Sequence, residues 1–413
     1  MTKLASEILS EANLTKQQRN VVTATDDLIR VRALAGTGKT YTAVQRVLYQ
    51  KAIGREVSHV LTFTRSAADT ISKRLAEAGV TDVPVRTLHS FAMEMVNDAS
   101  ENGEKVRVSD GKRPIKAMIY NLYGREAYPR EIEEVRQMAT LLANGAVYSF
   151  MTSVSKDELK YLATRYQEAK EAAGELDWDD LIIGATEIAA ELNITLDGEV
   201  IIDEAQDLTK IQLDFIEQLS PERLTLILDP NQSIFGFAGV EEAAMNAEGF
   251  EEYTLSKSFR TAQEILYVAN ELITDTLTSD ITGGKVTWVN SSHGTQVEDV
   301  LKLLEPGDCV IGRFRSSARD VLMAIAPETD PEHPVNCKVS IDESDYTFGS
   351  IHWAKGQEWK RVFILNLTEN GFSGLPMTEE EKRILYVAIT RAKEEVILLN
   401  LTDGKPGWLD HDK

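Results

Sequence analysis

Short apolar runs alternate with helical patterns from about Val31 to His89. In chain order the segments are VRAL, TAVQRVLYQKA, HVLTFT, SAADTISKRLAEAG and VPVRTL. The first, third and fifth have the length and composition of buried strands, whereas the second and fourth carry apolar residues at helical spacing. This alternation is typical of an α/β domain with a parallel sheet. The sequence therefore predicts a doubly wound α/β core at the start of the chain.

Helical patterns replace this alternation in the next part of the chain. The segments IKAMIYNLYG and KDELKYLATRYQEAKEAAGEL contain few strand-like runs. Strand patterns return with EVIIDEAQD and LTLILDPNQ, whose apolar runs suit buried central strands. We therefore predict that 1–89 and 177–250 form one α/β core and that 90–176 is an all-helical insertion in it.

The last part of the chain, from about Glu251, again mixes helices and strands. The helical TAQEILYVANELI is followed by the strand patterns VTWV, DCVIGRF, YTFGSIHW, RVFILNL and EVILLNL. Three prolines between Ala326 and Asn336 predict a loop or linker there. We predict a second α/β core over 251–413, with only a short loop at about 320–348.

Composition narrows the class of partner and the cellular setting. The 413 residues include 44 Lys and Arg against 66 Asp and Glu, a formal net charge of −22. This balance excludes a broad basic face, so a nucleic-acid site must be a local groove. Cys309 and Cys337 lie far apart without metal-ligand spacing, which favours a reduced intracellular setting. Without a signal-peptide pattern or an apolar run of about 18 residues, we expect a soluble, cytoplasmic protein with no membrane partner.

The segment ALAGTGKT, Ala33 to Thr40, has the composition and context of a phosphate-binding loop. Gly36 and Gly38 allow a tight turn that points backbone N–H groups at phosphates, at the positive end of the following helix. Lys39 can then reach the β- and γ-phosphates, and the Thr40 hydroxyl can hold Mg²⁺. The alternative is a glycine-rich turn before a structural helix. The predicted ATP-binding residues here are Ala35, Gly36, Thr37, Gly38, Lys39, Thr40 and Tyr41.

Two later strand ends carry groups suited to phosphate chemistry. EVIIDEAQD places Asp203 where it can bind Mg²⁺ and Glu204 where it can deprotonate the attacking water. LILDPNQ places Gln232 just after a strand, where it can sense the γ-phosphate. Arg260 and Arg391 are candidates to supply the positive charge that the transition state requires. The predicted catalytic set is Lys39, Glu204, Gln232, Arg260 and Arg391.

With these motifs in order, the chain resembles the superfamily 1 DNA helicases of the UvrD, Rep and PcrA type, from about Leu14 to Leu399. The resemblance implies two RecA-like parallel-sheet cores, with ATP and Mg²⁺ as cofactors at the cleft that the cores form. It further implies that Gln18 reads the adenine, that the ring of Phe259 packs on it and that Glu358 contacts the ribose. Both candidate arginines would act as arginine fingers.

The same resemblance implies contacts with single-stranded DNA through aromatic stacking and backbone tracking. VLTFTRSAADTI and RTLHSF resemble the family's motifs Ia and Ib, LDPNQSIFGF its motif III and GSIHWAKGQEW its motif V. The implied DNA-binding residues are Thr62, Phe63, Thr64, Arg65, Thr87, His89, Ser90, Phe237, His352 and Lys355. Without the resemblance, the aromatic and histidine residues among them are also compatible with core packing.

The implied activity is that of an ATP-dependent translocase and helicase with 3′ to 5′ polarity, on single-stranded DNA and tailed duplex DNA. Only a short stretch between Arg319 and Gly349 stands where larger relatives insert a subdomain, and a protein partner could replace it. One alternative is a DNA-stimulated ATPase switch in a repair, phage or defence complex, without net unwinding. The others are an inactive helicase-like scaffold and a small-molecule kinase, which would leave the second core without a role.

Overall fold

The structure is a computed structural model that describes residues 3–100, 105–144, 155–234, 243–327, 335–341, 343–368, 371–372 and 375–401. The chain forms two compact units. The first comprises Met1–Arg32 and Lys39–Thr254, and the second comprises Ala33–Gly38 and Leu255–Lys413. The first part of the predicted phosphate loop is therefore grouped with the second unit.

A six-stranded sheet forms the centre of the described part of the first unit. Its strands are β1 (Leu28–Ala33), β2 (Val57–Thr62), β3 (Val85–Thr87), β4 (Glu199–Asp203), β5 (Arg223–Leu228) and β6 (Glu251–Leu255). They are ordered β3-β2-β4-β5-β1-β6, and the pairs among β1 to β5 are parallel. Because parallel strands end at one edge of a sheet, the segments that follow β2, β4 and β5 lie close together.

Some helices of this unit pack on the sheet, and others share a separate core. In chain order they are α1 (Lys3–Glu11), α2 (Lys16–Thr23), α3 (Lys39–Ala52), α4 (Arg65–Glu77), α5 (Leu88–Asp98), α6 (Lys112–Tyr123), α7 (Pro129–Asn144), α8 (Lys156–Ala173), α9 (Trp178–Glu191), α10 (Lys210–Gln218) and α11 (Ala243–Asn246). The helices α6, α7 and α8 share a core of their own, which includes Ile119, Val135 and Tyr166. Helix α5 instead places Phe91 in the core of the sheet, together with Leu181 of α9. The segment expected as the insertion thus begins with a helix that packs on the α/β core.

The second unit is built on another predominantly parallel sheet, and two further strands, β7 and β8, form a small sheet of their own. The strands of this unit are β7 (Lys257–Ser258), β8 (Thr278–Ser279), β9 (Lys285–Asn290), β10 (Cys309–Gly312), β11 (Cys337–Ile341), β12 (Ser344–Ser350), β13 (Trp359–Thr368), β14 (Gly371–Phe372) and β15 (Ala392–Asn400). Among the described residues the main sheet has the order β11-β12-β10-β13-β15-β9, parallel from β12 to β9, with β14 paired to β13. Its helices are α12 (Gln263–Asn270), α13 (Gln296–Leu303), α14 (Arg315–Ile325), α15 (Ile351–Ala354) and α16 (Glu379–Ile389).

The predicted fold class, α/β with two parallel-sheet cores and helices inserted in the first, is confirmed. The stretch at about 320–348 differs from the expected short loop, because it contains the end of α14, all of β11 and most of β12. Strand β11 is an antiparallel edge strand with alternating half-buried and exposed residues, so its sequence lacks a continuous apolar run. In the part of the chain that the structure describes, no helix combines the length and the apolar character needed to cross a membrane.

Candidate functional site

The phosphate-loop segment of the second unit turns through two glycines in the left-handed region. Gly36 has φ +72° and Gly38 has φ +80°, a conformation that other residues adopt only with strain. The carbonyl oxygen of Gly36 accepts a hydrogen bond of 2.8 Å from the backbone N–H of Phe259. The backbone N–H of Ala35 donates to the hydroxyl oxygen of Tyr386 over 3.1 Å, and Thr37 Oγ1 donates to the carbonyl oxygen of Leu34 over 2.7 Å. These bonds fix the path of the segment.

Thr40 and Asp203, the two predicted Mg²⁺ ligands, lie in contact in the first unit. Thr40 Oγ1, in the first turn of α3, donates a 2.7 Å hydrogen bond to Oδ2 of Asp203, at the end of β4. Burial, and then the charge of adjacent Glu204, raise the pKa of Asp203 to about 6. A carboxylate beside a hydroxyl matches the oxygen ligands that Mg²⁺ takes when phosphates and waters complete its coordination. The described residues contain no cluster of three His, Cys, Asp or Glu suited to a metal, so this pair would depend on such outside ligands.

Glu204, the predicted general base, adopts an unusual backbone conformation. Its φ is +60°, which is uncommon for a residue with a side chain, and strained conformations of this kind cluster at functional sites. Its Oε1 lies 3.8 Å from Nζ of Lys39, and its Oε2 accepts a 2.6 Å hydrogen bond from the side-chain amide of Gln206. Lys39 is only 9% exposed, so its charge acts on this carboxylate from a largely buried position.

Gln232, the predicted γ-phosphate sensor, lies in a short 3₁₀ turn after β5. Its amide donates a 2.6 Å hydrogen bond to Oδ2 of Asp229, a fully buried carboxylate whose pKa is raised by burial. The backbone N–H of Asp229 in turn donates to Oε1 of Gln206 over 3.0 Å. The predicted base and the predicted sensor are therefore connected through Gln206 and Asp229.

Gln18, the predicted adenine reader, is buried near the start of α2. Its Oε1 accepts a 3.0 Å hydrogen bond from the backbone N–H of Thr15, whose hydroxyl in turn accepts from the backbone N–H of Gln18. This capping box fixes the side chain at the helix start. Tyr41 is partly buried in the first turn of α3.

In the second unit, Arg260 and Glu358 are joined directly. Nε of Arg260 lies 2.5 Å from Oε2 of Glu358, and Nζ of Lys393 lies 2.5 Å from Oε1. Burial opposes ionisation of Glu358, but the hydrogen bond from Lys393 and the charge of Arg260 lower its pKa overall. Phe259 is 50% exposed and directly precedes Arg260 in the sequence. The exposed ring is available for stacking.

Arg391, the other predicted arginine finger, is almost fully buried in the second unit. Its Nε donates a 3.0 Å hydrogen bond to the carbonyl oxygen of Val387, and Nη1 donates over 3.1 Å to the carbonyl oxygen of Gln357. These carbonyls belong to α16 and to the turn after α15. The guanidinium is therefore held in a defined orientation.

The predicted DNA residues of motif Ia follow β2 at the carboxyl edge of the first sheet. Phe63 is 41% exposed, whereas Thr62 is buried and donates to the carbonyl oxygen of Thr64. The Thr64 hydroxyl caps α4, and Arg65 is exposed in its first turn. The segment thus presents an aromatic ring and a cation to solvent.

The motif Ib residues occupy the start of α5 beside this segment. Thr87 caps the helix, and its hydroxyl accepts a 3.2 Å hydrogen bond from the backbone N–H of Ser90. His89 packs edge-on against Trp178, with ring centres 5.2 Å apart, and burial together with the charge of Arg136 lowers its pKa to about 4. At neutral pH this imidazole is uncharged.

One pocket of the first unit brings predicted DNA residues and predicted catalytic residues together. Among its lining residues are Thr62, Phe63, His89, Asp203, Glu204 and Gln212. The segments after β2 and β4 and the start of α5 therefore border the same space, as parallel strand ends dictate.

Three further residues are predicted to bind DNA, and the structure describes two of them. His352 and Lys355 are partly buried in and just after α15, a short helix capped by the Ser350 hydroxyl. Phe237 lies outside the described residues.

Sequence reasoning missed several polar residues around these groups. Gln206 and Asp229 lie within the quoted motifs, but their pairing depends on the folded turns. Tyr386 and Lys393 lie in the segment ILYVAITRAKEEV around Arg391, and only the fold brings them to Ala35 and Glu358. Their residue types alone give no signal of these contacts.

A phosphate-loop segment, a buried lysine and an acidic strand end on a parallel sheet define a nucleotide-binding protein of the P-loop class. Two protein-family models match the chain within that class. Residues 14–249 match the UvrD/REP helicase N-terminal domain, and residues 240–402 match the UvrD-like helicase C-terminal domain. The chain therefore belongs to the UvrD-like helicase family, whose members are ATP-dependent DNA helicases.

The chain is also similar in sequence to individual proteins that are named as DNA helicases. A probable DNA helicase of Mycoplasma pneumoniae is 23% identical, over 94% of this chain and 84% of its own length. DNA helicase II of Escherichia coli is 26% identical, over 69% of this chain but only 43% of its own length. Among solved structures, the crystal structure of Arterivirus nonstructural protein 10 (helicase) matches with a TM-score of 0.45 and 14% sequence identity. The match covers 96% of this chain and 64% of that chain.

Proposed function

We propose that this chain is an ATP-driven translocase on single-stranded DNA and a DNA helicase with 3′ to 5′ polarity. The observation that carries the proposal is the buried polar network at the carboxyl edge of the first sheet, which runs from Lys39 through Glu204 to Gln232. Such a network has the parts that phosphoryl transfer to water requires. Family membership supplies the DNA substrate, and the polarity rests on the resemblance to UvrD, Rep and PcrA.

In this proposal the first unit carries out the hydrolytic chemistry. Lys39 binds the γ-phosphate, while the hydroxyl of Thr40 and the carboxylate of Asp203 hold Mg²⁺. Bound Mg²⁺ neutralises charge on the phosphate oxygens. The Glu204 carboxylate accepts a proton from water as the water oxygen attacks the γ-phosphorus and the bond to ADP breaks. Gln232 contacts the γ-phosphate and responds to its release.

The remaining nucleotide contacts recognise the base and stabilise charge. Gln18 reads the edge of the adenine, Phe259 stacks on it, and Glu358 contacts the ribose. Arg260 and Arg391 stabilise the negative charge that spreads over the phosphoryl oxygens. The salt bridge between Arg260 and Glu358 supports this assignment, because it keeps a flexible cation in one orientation.

DNA contacts in this proposal do not read sequence. Phe63 stacks on a base, which contributes about 1–3 kcal/mol per base and tolerates every base. Hydroxyls and the cation Lys355 follow the phosphates, while the uncharged ring of His89 contributes packing and hydrogen bonding only. The residues assigned to backbone contacts are Thr62, Thr64, Arg65, Thr87, Ser90, His352 and Lys355, and Phe237 is assigned to stacking. Local contacts of this kind suit a chain with a net charge of −22.

A second candidate function is a DNA-stimulated ATPase switch that works with a protein partner and without net unwinding. This candidate rests on the resemblance, which implies that larger relatives carry a subdomain where this chain has only the stretch at about 320–348. A partner that binds near this segment would then supply what the chain lacks. The two candidates share the ATPase chemistry and differ only in strand separation.

Duplexes with a single-stranded tail at either end test the proposal. The chain is mixed with ATP, Mg²⁺ and a labelled duplex that carries either a 3′ or a 5′ tail, and strand release is followed by fluorescence. Glu204→Gln serves as a control that keeps the side-chain shape and removes the base. We expect release of the 3′-tailed duplex by the unmodified chain alone. Preference for the 5′ tail would contradict the polarity, and DNA-stimulated hydrolysis without any strand release would favour the switch.

A further inference from the structure

Gln206 uses both ends of its side-chain amide within the first unit. It lies in the 3₁₀ turn Ala205–Asp207 after β4 and is only 1% exposed. Its Nε2 donates a 2.6 Å hydrogen bond to Oε2 of Glu204, and its Oε1 accepts a 3.0 Å hydrogen bond from the backbone N–H of Asp229. One side chain therefore joins the turn after β4 to the turn after β5.

The contact continues from Asp229 to Gln232. Oδ2 of Asp229 accepts a 2.6 Å hydrogen bond from the amide of Gln232, and Asp229 is completely buried. A displacement of Gln232 would therefore reach Asp229, and a displacement of the Asp229 backbone would reach Gln206. Gln206, Asp229 and Gln232 are buried, so the hydrogen bonds that join them lie where the low local dielectric strengthens them.

Only a carboxamide can make both contacts of Gln206 at once. A carboxylate at this position accepts hydrogen bonds but cannot donate to Glu204, and a thioether does neither well. The positive φ of Glu204 shows that its backbone is held in a strained conformation by its surroundings. The hydrogen bond from Gln206 reaches Oε2 of the Glu204 carboxylate, whereas Nζ of Lys39 lies nearest to Oε1.

We infer that Gln206 is a positioning residue that couples the γ-phosphate sensor Gln232 to the general base Glu204. The inference rests on the proposed function, because it takes the roles of these two residues from there. Through Gln206 and Asp229, contact between Gln232 and the γ-phosphate sets the direction of the Glu204 carboxylate, so that water is activated only when the phosphate is in place.

The variants Gln206→Met and Gln206→Glu test this role. The first keeps the length and removes the hydrogen bonds of the amide, including a long one of 3.4 Å to Asp207, and the second keeps the shape but places a carboxylate against Glu204. Gln50→Met is the matched control, because Gln50 is a fully buried glutamine of α3 in the same unit whose amide has no hydrogen-bond partner in the described structure. Thermal unfolding and binding of a fluorescent ATP analogue establish that each variant is folded and loaded.

The measurement is steady-state ATP hydrolysis with saturating single-stranded DNA, analysed as kcat and KM. We expect both Gln206 variants to lose about 10- to 100-fold in kcat with KM for ATP changed less than about 3-fold, the signature of a group that acts mainly after binding. Gln50→Met should retain the kcat of the unmodified chain. A Gln206→Met variant that matches Gln50→Met in kcat would overturn the inference.

The double variant of Gln206→Met with Gln232→Ala distinguishes coupling between the two residues from independent effects of each substitution. If Gln206 acts on the same step as Gln232, then Gln206→Met should add less than about 3-fold to the loss already caused by Gln232→Ala. Losses that multiply in full would show independent roles and would contradict the coupling. The proposed function is judged separately, on the unmodified chain, since absence of DNA-stimulated hydrolysis there would refute both statements before any variant is compared.

Discussion

The hydroxyl of Thr40 donates a 2.7 Å hydrogen bond to Oδ2 of Asp203, which joins the first turn of α3 to the end of β4. The two groups come from positions far apart in the chain, yet they form one oxygen-rich corner at the carboxyl edge of the sheet. Burial, and then repulsion from the charge of adjacent Glu204, raise the pKa of Asp203, while the hydrogen bond from Thr40 and the charge of Lys39 act in the opposite direction. A divalent cation bound there would relieve this repulsion, which is the physical reason to place Mg²⁺ at the pair.

Substitution of Thr40 tests the metal corner. Thr40→Val keeps the shape and removes the hydroxyl ligand, so we expect Mg²⁺-dependent ATP hydrolysis to fall by about 100-fold or more, as for loss of a group that stabilises charge in the transition state. Thr40→Ser keeps the hydroxyl and should retain most activity. Titration of Mg²⁺ in the hydrolysis assay measures both variants, and equal activity of the two would show that the hydroxyl has no part in metal binding.

Arg46 of α3 and Glu199, the first residue of β4, form a buried ion pair at the amino end of that strand. Nε of Arg46 lies 2.6 Å from Oε1 of Glu199, both side chains are fully buried, and Nη1 of Arg46 also donates to the carbonyl oxygen of Val21 over 2.6 Å. Arg46→Met would leave the buried Glu199 carboxylate without its close partner, with only Arg223 Nε 4.0 Å from Oε2, so we expect the free energy of unfolding to fall by about 3–5 kcal/mol. Urea unfolding followed by circular dichroism measures the change.

The double variant Arg46→Met with Glu199→Gln provides the control for that prediction. It removes both charges, and the neutral amide oxygen at position 199 can still accept from the hydroxyl of Thr225, which donates to Glu199 over 2.6 Å. We expect the double variant to be more stable than Arg46→Met alone. If it is less stable, an unpaired charge is not the cause of the loss.

The lowered pKa of His89 predicts a pH dependence of stability. Its pKa is about 4 in the folded chain and about 6.5 when unfolded, so the unfolded state binds more protons between these values. The stabilisation is present above pH 6.5 and is lost as pH falls towards 4, with at most about 3 kcal/mol at stake. In His89→Gln the unfolding free energy should decrease less over this range. The same slope in both proteins would mean that His89 is solvated in the folded state.

Gly36 and Gly54 form a matched pair for the phosphate-loop segment. Both have positive φ, but a Cβ on Gly36 would lie 2.5 Å from Oγ of Ser258 and 2.9 Å from Cβ of Arg260, whereas a Cβ on Gly54 would meet nothing within 4 Å. Backbone strain of about 1 kcal/mol applies to alanine at either position. Gly36→Ala should therefore lower the melting temperature more than Gly54→Ala and should also weaken ATP binding. Similar melting temperatures for the two variants would contradict the crowding at Gly36.

Local patterns allowed much of this fold to be predicted from sequence. Strands such as Glu199–Asp203 and Arg223–Leu228 are largely apolar because both faces of a parallel sheet are covered, and the glycines of ALAGTGKT mark a turn that few other residues can make. Strand β11 was missed because an edge strand of alternating polarity depends on its partner β12 for its conformation. Helix α5 was assigned to the insertion because helical spacing does not reveal which surface a helix covers.

The charged residues of the site could be predicted from the sequence, but the hydrogen bonds that connect them to other residues could not. Lys39, Asp203 and Glu204 lie in motifs whose residue types indicate phosphate and Mg²⁺ binding. The hydrogen bond from the backbone N–H of Asp229 to Gln206 joins the turns that follow two strands, and the bond between Ala35 and Tyr386 spans most of the chain. Contacts of this length leave no periodic trace in a sequence, so they emerge only from the folded arrangement.

The most direct test of the central claim is steady-state ATP hydrolysis with and without single-stranded DNA. Lys39→Ala removes the buried lysine of the predicted phosphate site, and Lys51→Ala is the control, because Lys51 lies in the same helix but pairs with Asp82 at the surface. The account predicts hydrolysis that DNA stimulates strongly, that Lys39→Ala abolishes and that Lys51→Ala preserves. Hydrolysis that ignores DNA, or that survives in Lys39→Ala, would contradict it.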